Sequence, residues 1–181
     1  MALALTVFDL VVIGSGPAGE KAACKGAYHG KRVAMVEKES KVGGAGVNTG
    51  TLPSKTLKET AIYFSGHDER GLYRTDRVRK SETRIEDFLF RQRLVQAEVE
   101  AEVRVNIASH GVTLIHGTAS FLDAHRVQVL GAGGALQSIQ ADNFIVATGS
   151  YPFHPDNIAF DSDCCMTRIP SWSSRAFRVR L

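Results

Sequence analysis

The chain has 181 residues, 44% of them hydrophobic and 23% charged, with a formal net charge of +3. That balance suits one soluble globular domain with some chain to spare, and no basic run is long enough to track nucleic acid. No apolar stretch reaches the roughly 18 residues of a membrane span.

The apolar run at the N-terminus has no basic residue ahead of it and contains Asp9, a pattern unlike a secretory signal. Residues 8–13 (Phe-Asp-Leu-Val-Val-Ile) predict a short buried parallel strand. Residues 17–28 are alanine-rich with proline only at the first position, and predict a helix with Gly30 as its C-terminal cap. Residues 32–37 predict a second buried strand, completing a β-loop-α-β unit of about 30 residues. A second glycine-rich loop spans Gly43 to Gly50, and Leu52-Pro53-Ser54-Lys55 opens a helix running to Phe64. Residues 66–84 read as an exposed polar connection. Val95, Val99, Val103 and Ile107 recur every four residues and predict a long helix from Ile85 to Ser109, ended by His110-Gly111. The period then shifts towards two, predicting short strands at 112–116, 120–122, 126–130 and 136–139, with a turn at Gly131–Gly134. Residues 143–147 predict a further buried strand, stopping at Thr148-Gly149. Residues 156–181 have no clear period and read as an atypical, disordered tail. The three cysteines, Cys24, Cys164 and Cys165, give no disulfide framework, which fits a reducing cytoplasm. Cys24 reads as an inert packing residue. Cys164-Cys165 has no neighbouring ligand pattern, so no metal is expected.

Gly14-Ser15-Gly16-Pro17-Ala18-Gly19 lies between the first strand and the first helix. In such a loop the first glycine allows a tight turn, the second lets a pyrophosphate approach the backbone, and the third lets helix and strand pack closely. The helix N-terminus adds N–H groups and partial positive charge. Glu37 ends the second strand, where a carboxylate can accept hydrogen bonds from an adenosine ribose and disfavours a 2′-phosphate. Spacing leaves FAD and NAD both open.

The stretch Gly43-Gly44-Ala45-Gly46-Val47-Asn48-Thr49-Gly50-Thr51-Leu52-Pro53-Ser54-Lys55 resembles the signature of the pyridine nucleotide–disulfide oxidoreductases, Gly-Gly-x-Cys-x-Asn-x-Gly-Cys-x-Pro-Ser-Lys. His116-Gly117-x-Ala119-x-Phe121 and Ala147-Thr148-Gly149-Ser150-x-Pro152 resemble later elements of the same domain. The resemblance covers about residues 8 to 155. It implies an α/β fold: a Rossmann-like FAD-binding domain with a parallel sheet and a small β-meander, incomplete at the C-terminus. It implies that Gly14–Gly19 (with Ser15, Gly16, Pro17 and Ala18) hold the FAD pyrophosphate. Glu37, with Lys38 beside it, would bind the adenosine ribose. Gly43, Gly44, Ala45 and Gly46 would pass the phosphates and ribityl chain. Gly50, Thr51 and Lys55 would lie near the isoalloxazine ring, where a positive charge favours reduced, anionic flavin. His116 and Gly117 would contact the adenine side, His116 through its backbone, and Ala147, Thr148 and Gly149 would pass under the cofactor.

Both redox cysteine positions of the signature are changed, to Gly46 and Thr51. Disulfide reduction needs a thiolate at the flavin, and neither residue supplies one. One branch of the family, the soluble FAD-dependent pyridine nucleotide transhydrogenases, shows Gly-Thr-x-Pro-Ser-Lys as here, although it usually keeps the first cysteine. That branch implies hydride transfer between NADPH and NAD through flavin. The family's NAD(P)-binding and dimerisation domains are expected to be absent from this chain, and a truncation or reading-frame change near residue 163 is the expectation that would account for such an ending. The expected partners are small-molecule dinucleotides, with NAD(P) bound only through a domain not encoded here. Neither nucleic acid nor membrane is expected. The isolated chain is expected to show little turnover. A non-catalytic FAD-binding remnant and a dihydrolipoamide-dehydrogenase-like fragment are the other readings.

Overall fold

Four parallel strands form the centre of the protein, and the alternation of their side chains decides what covers each face. The computed structural model describes residues 6–65, 84–151, 153 and 155–157. By contact density the described parts of residues 1–46 and 99–150 form one unit, and those of residues 47–98 and 151–157 a second.

The first unit contains the sheet. Strand β1 (Thr6–Ile13) leads into helix α1 (Pro17–Tyr28), which returns the chain to β2 (Val33–Glu37). Strands β3 (Thr113–His116), β4 (Thr118–Phe121), β5 (Arg126–Leu130) and β6 (Leu136–Val146) follow later in the chain. The sheet order is β3-β2-β1-β6-β5-β4. The pairs β3–β2, β2–β1 and β1–β6 are parallel, whereas β6–β5 and β5–β4 are antiparallel. Strands β3 and β4 stand at opposite ends of that order, yet only Gly117 separates them in sequence. The sheet therefore folds back on itself, laying the β4–β5–β6 meander over one face of the parallel strands. A single core cluster records this, joining Val11, Ala34 and Val36 of the parallel strands to Val127, Val129 and Ile139 of the meander. Gly117 makes the corner possible: a Cβ there would stand 2.6 Å from Val129 Cγ1 and 2.7 Å from the Leu130 carbonyl oxygen.

The opposite face carries the alternate residues, as the strand period of two requires. Val12, Val33 and Met35 pack with Ala23 of α1 and with Val103 and Ile107 of helix α4 (Ile85–Ser109). The result is three layers, helices, parallel sheet and meander, in a Rossmann-like α/β arrangement. Both helices end in Schellman caps. Lys31 and Gly30 donate to the carbonyls of Gly26 and Ala27, and Val112 and Gly111 to those of Ile107 and Ala108. Gly30 and Gly111 take the positive φ that such caps need, +74° and +70°.

The second unit contains helix α3 (Thr51–Ser65), the first half of α4 and the end of a short helix α2 (Gly44–Asn48). Leu57 and Leu89 are buried, and Phe64 stacks on Phe88 with ring centroids 6.2 Å apart. Gln92 donates to Gln96, which donates to Asn48 Oδ1 at 3.1 Å, tying α4 to the end of α2.

The sequence-predicted limits of α1, α4 and β5 match the structure. Two expectations are corrected. The strands predicted at 136–139 and 143–147 are one strand, β6, because its pairing with β1 runs from Ile139 to Val146 and overlaps its pairing with β5 at Ile139 and Gln140. Its first half pairs antiparallel with β5 and its second half parallel with β1. The loop predicted over Gly43–Gly50 contains α2, a helix whose Gly-Ala-Gly-Val-Asn sequence has no apolar period to announce it. The polar connection 66–84, apart from Arg84, and the tail beyond residue 157 lie outside the described residues, as do Cys164, Cys165, Pro152 and His154.

Candidate functional site

The C-terminal ends of β1 and β2 deliver the first glycine loop and Glu37 to the same place. Hydrogen bonds continue the ladder past β1, from Gly14 N–H to the Val36 carbonyl at 2.8 Å and from Ala147 N–H to the Ile13 carbonyl at 2.8 Å. Gly14 has φ +106°, and a Cβ on it would lie 2.4 Å from the Ala147 oxygen. Gly19, in the first turn of α1, has no room either: its Cβ would stand 1.9 Å from the Gly14 oxygen. These two glycines are demanded by the fold, one at the turn and one at the helix–strand contact.

Gly16 is different. It caps α1 with ordinary extended dihedrals, φ −64° and ψ 176°, and a Cβ would find only Gly44 Cα, at 3.9 Å. It is half-buried, and the amides of Ala18 and Gly19 that follow it in the first turn of α1 have no intrahelical acceptors. Gly44, at φ +57°, would place a Cβ 2.8 Å from Gly16 Cα. The two glycine loops thus touch backbone to backbone, forming a cradle with no side chain in it. A helix N-terminus facing such a space is suited to an anion.

Glu37 is 6% exposed and held by three hydrogen bonds. Oε2 accepts from the Ser15 amide at 2.8 Å and from Ser15 Oγ at 2.6 Å, and Oε1 accepts from the Glu39 amide at 2.9 Å. A carboxylate offers about four acceptor positions, so this one keeps capacity for a hydroxyl donor. Ser15 is itself fully buried, and Gly43 N–H donates both to its carbonyl at 3.1 Å and to its Oγ at 3.2 Å. One serine therefore joins the first loop, the acid and the start of the second loop. Sequence reasoning found the acid and the loops but not this junction, and it gave no part to Glu39. A serine beside the first glycine is the only trace of the junction in the sequence.

The remaining candidates fall into four positions. Lys38 is exposed, 3.8 Å from Glu39 Oε1, and His116 places Nδ1 3.0 Å from the Glu39 carbonyl oxygen. Gly117 N–H donates to the Glu37 carbonyl at 2.8 Å, so this pair abuts the acid from the β3 side. Pro17 and Ala18 are exposed at the start of α1, and Ala45 is exposed beside half-buried Gly46. Ala147 is half-buried at the end of β6, followed by exposed Thr148 and Gly149. Gly50, Thr51 and Lys55 belong to the second unit. Thr51 and Lys55 are exposed on the first turns of α3, and the Gly50 carbonyl accepts from Ser54 N at 3.2 Å and Oγ at 2.9 Å. Cys24 is buried on α1, and burial pushes its thiol pKa up, away from the reactive thiolate. Among the described residues, no three His, Cys, Asp or Glu side chains form a group able to hold a metal ion. No described helix is long and apolar enough to cross a membrane.

Residues 8–174 match the family model described as pyridine nucleotide-disulphide oxidoreductase. The chain belongs to that family. Among curated relatives, the soluble pyridine nucleotide transhydrogenase of Mycobacterium tuberculosis (strain ATCC 25177 / H37Ra) is 40% identical over 158 residues, 86% of this chain and 34% of the relative. That of Photobacterium profundum is 37% identical over 161 residues, 86% of this chain and 33% of the relative. Among solved structures, a Cu(II) complex of the HOCl-induced flavoprotein disulfide reductase RclA from Escherichia coli superposes with TM-score 0.67 at 26% identity, over 84% of this chain and 31% of that one. The pyridine nucleotide-disulphide oxidoreductase chain described here spans about a third of the length of these relatives. Its signature positions Gly46 and Thr51 carry no sulfur.

Proposed function

We propose that this chain holds the FAD of an oxidoreductase that passes hydride between nicotinamide nucleotides. The observation that carries the reading is the side-chain-free cradle between Gly16 and Gly44, set beside a carboxylate already fixed for a ribose. Gly16 carries no side chain to keep a pyrophosphate off the loop, and Gly44 lets the second loop reach the first, since a Cβ on Gly44 would strike Gly16 Cα at 2.8 Å. In this reading the amides of Gly16, Ala18 and Gly19 at the N-terminus of α1 bind the pyrophosphate. Glu37 accepts from the adenosine ribose, and its burial excludes a phosphate at the 2′ position. Gly43 to Gly46 let the cofactor chain pass. Gly117 backs the adenosine side, and Ala147 to Gly149 lie beneath the cofactor. Bound FAD would supply two-electron hydride chemistry that no side chain of this protein provides.

Relatedness to transhydrogenases and the loss of both thiols favour nucleotide-to-nucleotide transfer over disulfide reduction. Nicotinamide binding is assigned in this reading to the part of the relatives' length outside the match. Purified protein equilibrated with FAD is expected to retain a flavin absorption band after gel filtration. Colourless protein that ignores added FAD overturns the reading. Little hydride transfer from NADPH to an NAD analogue is expected from these 181 residues with FAD bound. Robust turnover would place a nicotinamide site within them and refute that assignment.

A further inference from the structure

The Ser15 hydroxyl has an unexpected place in the site. A serine inside a phosphate-binding loop would ordinarily turn its hydroxyl towards the phosphate. Here Ser15 is 0% exposed, and its Oγ points away from the open side of the loop. It donates to Glu37 Oε2 at 2.6 Å, a short bond of the charge-assisted kind, and accepts from Gly43 N–H at 3.2 Å. Its one hydroxyl proton is given to the acid, so it has none for a ligand. The Ser15 amide adds a second bond to the same oxygen at 2.8 Å. Oε2 is thereby saturated, and only Oε1, held by the Glu39 amide at 2.9 Å, has an open lone pair.

We infer that Ser15 is a positioning residue for adenosine-ribose recognition: its hydroxyl locks the Glu37 carboxylate so that only Oε1 meets the ribose 2′-hydroxyl. The inference rests on the dinucleotide-binding reading and goes further by naming the residue that sets its selectivity. A glutamate side chain has three rotatable bonds, and without the lock it samples rotamers that turn away from the ribose. The lock also couples the two loops. Gly43 bonds to the oxygen that holds Glu37, so the second loop and the acid are set in place together.

The test compares ADP with 2′-deoxy-ADP on the full chain by isothermal titration calorimetry. A charge-assisted bond from the 2′-hydroxyl to a fixed carboxylate predicts that the unaltered chain prefers ADP by about tenfold or more. Ser15→Ala is expected to reduce that preference to about twofold or less, while 2′-deoxy-ADP, which lacks the probed hydroxyl, keeps its affinity. Glu37→Gln should reduce the preference likewise, and adding Ser15→Ala to Glu37→Gln should change it no further. A merely structural role for Ser15 would weaken both nucleotides together. Far-UV circular dichroism and the melting temperature report whether Ser15→Ala folds. Ser15→Cys, similar in size but a weak donor, gives a second route and should also lose the preference. The inference is overturned if Ser15→Ala and Ser15→Cys keep the preference, or if both nucleotides weaken equally. If the unaltered chain binds neither nucleotide, the dinucleotide-binding reading itself fails and the inference fails with it.

Discussion

Gly16 and Gly19 stand three residues apart in one motif, and the structure separates a sterically free glycine from a fold-required one. A methyl on Gly19 would lie 1.9 Å from the Gly14 oxygen and 3.0 Å from its carbonyl carbon. Both are backbone atoms in a tight turn, so no side chain can rotate to relieve the clash. Ordinary contact begins near 3.4 Å, which asks α1 and the turn to separate by about 1.5 Å. Overpacking of this kind costs about 1–3 kcal/mol, and backbone against backbone places Gly19→Ala at the upper end. At about 2–4 °C per kcal/mol for a chain of this size, Tm should fall by roughly 6–12 °C. Gly16→Ala meets nothing closer than 3.9 Å and needs no unusual dihedral. Its cost without ligand is that of alanine at a helix cap, about 1 kcal/mol or less, and so about 4 °C at most. In the flavin-binding reading, however, its methyl fills the cradle and should weaken FAD by about tenfold or more. Thermal unfolding followed by circular dichroism without flavin, and a fluorescence titration of FAD, measure the two effects separately. The reasoning fails if Gly16→Ala lowers the ligand-free Tm as far as Gly19→Ala, or if it binds FAD as tightly as the unaltered chain.

Three further predictions follow from single contacts. Glu20 is 8% exposed, and its Oε1 accepts from Asn106 Nδ2 on α4 and from Lys21 Nζ. Asn106→Ala leaves it without the buried partner and should cost about 1–3 kcal/mol in urea unfolding; a loss below about 0.5 kcal/mol contradicts this. The Arg32 amide and guanidinium, at 2.6 and 3.3 Å, hold the Asp9 carboxyl below its usual pKa. A lowered pKa adds stability above the ordinary aspartate value and loses it as pH falls below about 4, so Asp9→Asn should make the acid limb of a Tm–pH profile shallower. An acid limb of unchanged slope in the variant counts against that. At Gly46 a Cβ would meet Pro17 Cγ at 3.4 Å, within ordinary contact, so Gly46→Cys should fold with stability within about 1 kcal/mol of the unaltered chain. A large loss in chemical denaturation would show that the position needs glycine.

What the sequence disclosed was what is local. The limits of α1 are set by Pro17 and by Gly30, and those of α4 by a four-residue apolar period and by Gly111. Each signal lies within a turn of the boundary it marks, and both helices appear where predicted. From sequence, β6 reads as two strands, 136–139 and 143–147. The strand continues between them because it pairs with β1 from Ile139 to Val146, overlapping its pairing with β5 from Leu136 to Gln140, a long-range fact that no short window contains. The site divides the same way. Gly14, Gly16, Gly19 and Glu37 are legible because a strand–turn–helix–strand unit needs those residue types at that spacing. The bond from Ser15 to Glu37 spans 22 residues and exists only once β1 and β2 pair.

The glycines of the site are not of one kind, and the difference bears on its chemistry. Gly14, Gly19 and Gly44 are fixed by backbone contacts that no other residue can make. Gly46 is not: its φ is ordinary for a side chain, and the space beside it would accept a Cβ. The absence of sulfur at this signature position is therefore not imposed by packing. The same holds at Thr51, which is exposed on the first turn of α3 and presses on nothing that would forbid another side chain. In the flavin-binding reading, a fold that keeps its two glycine loops while both thiol positions carry other residues retains what positions a dinucleotide and lacks, at those positions, what exchanges with a disulfide.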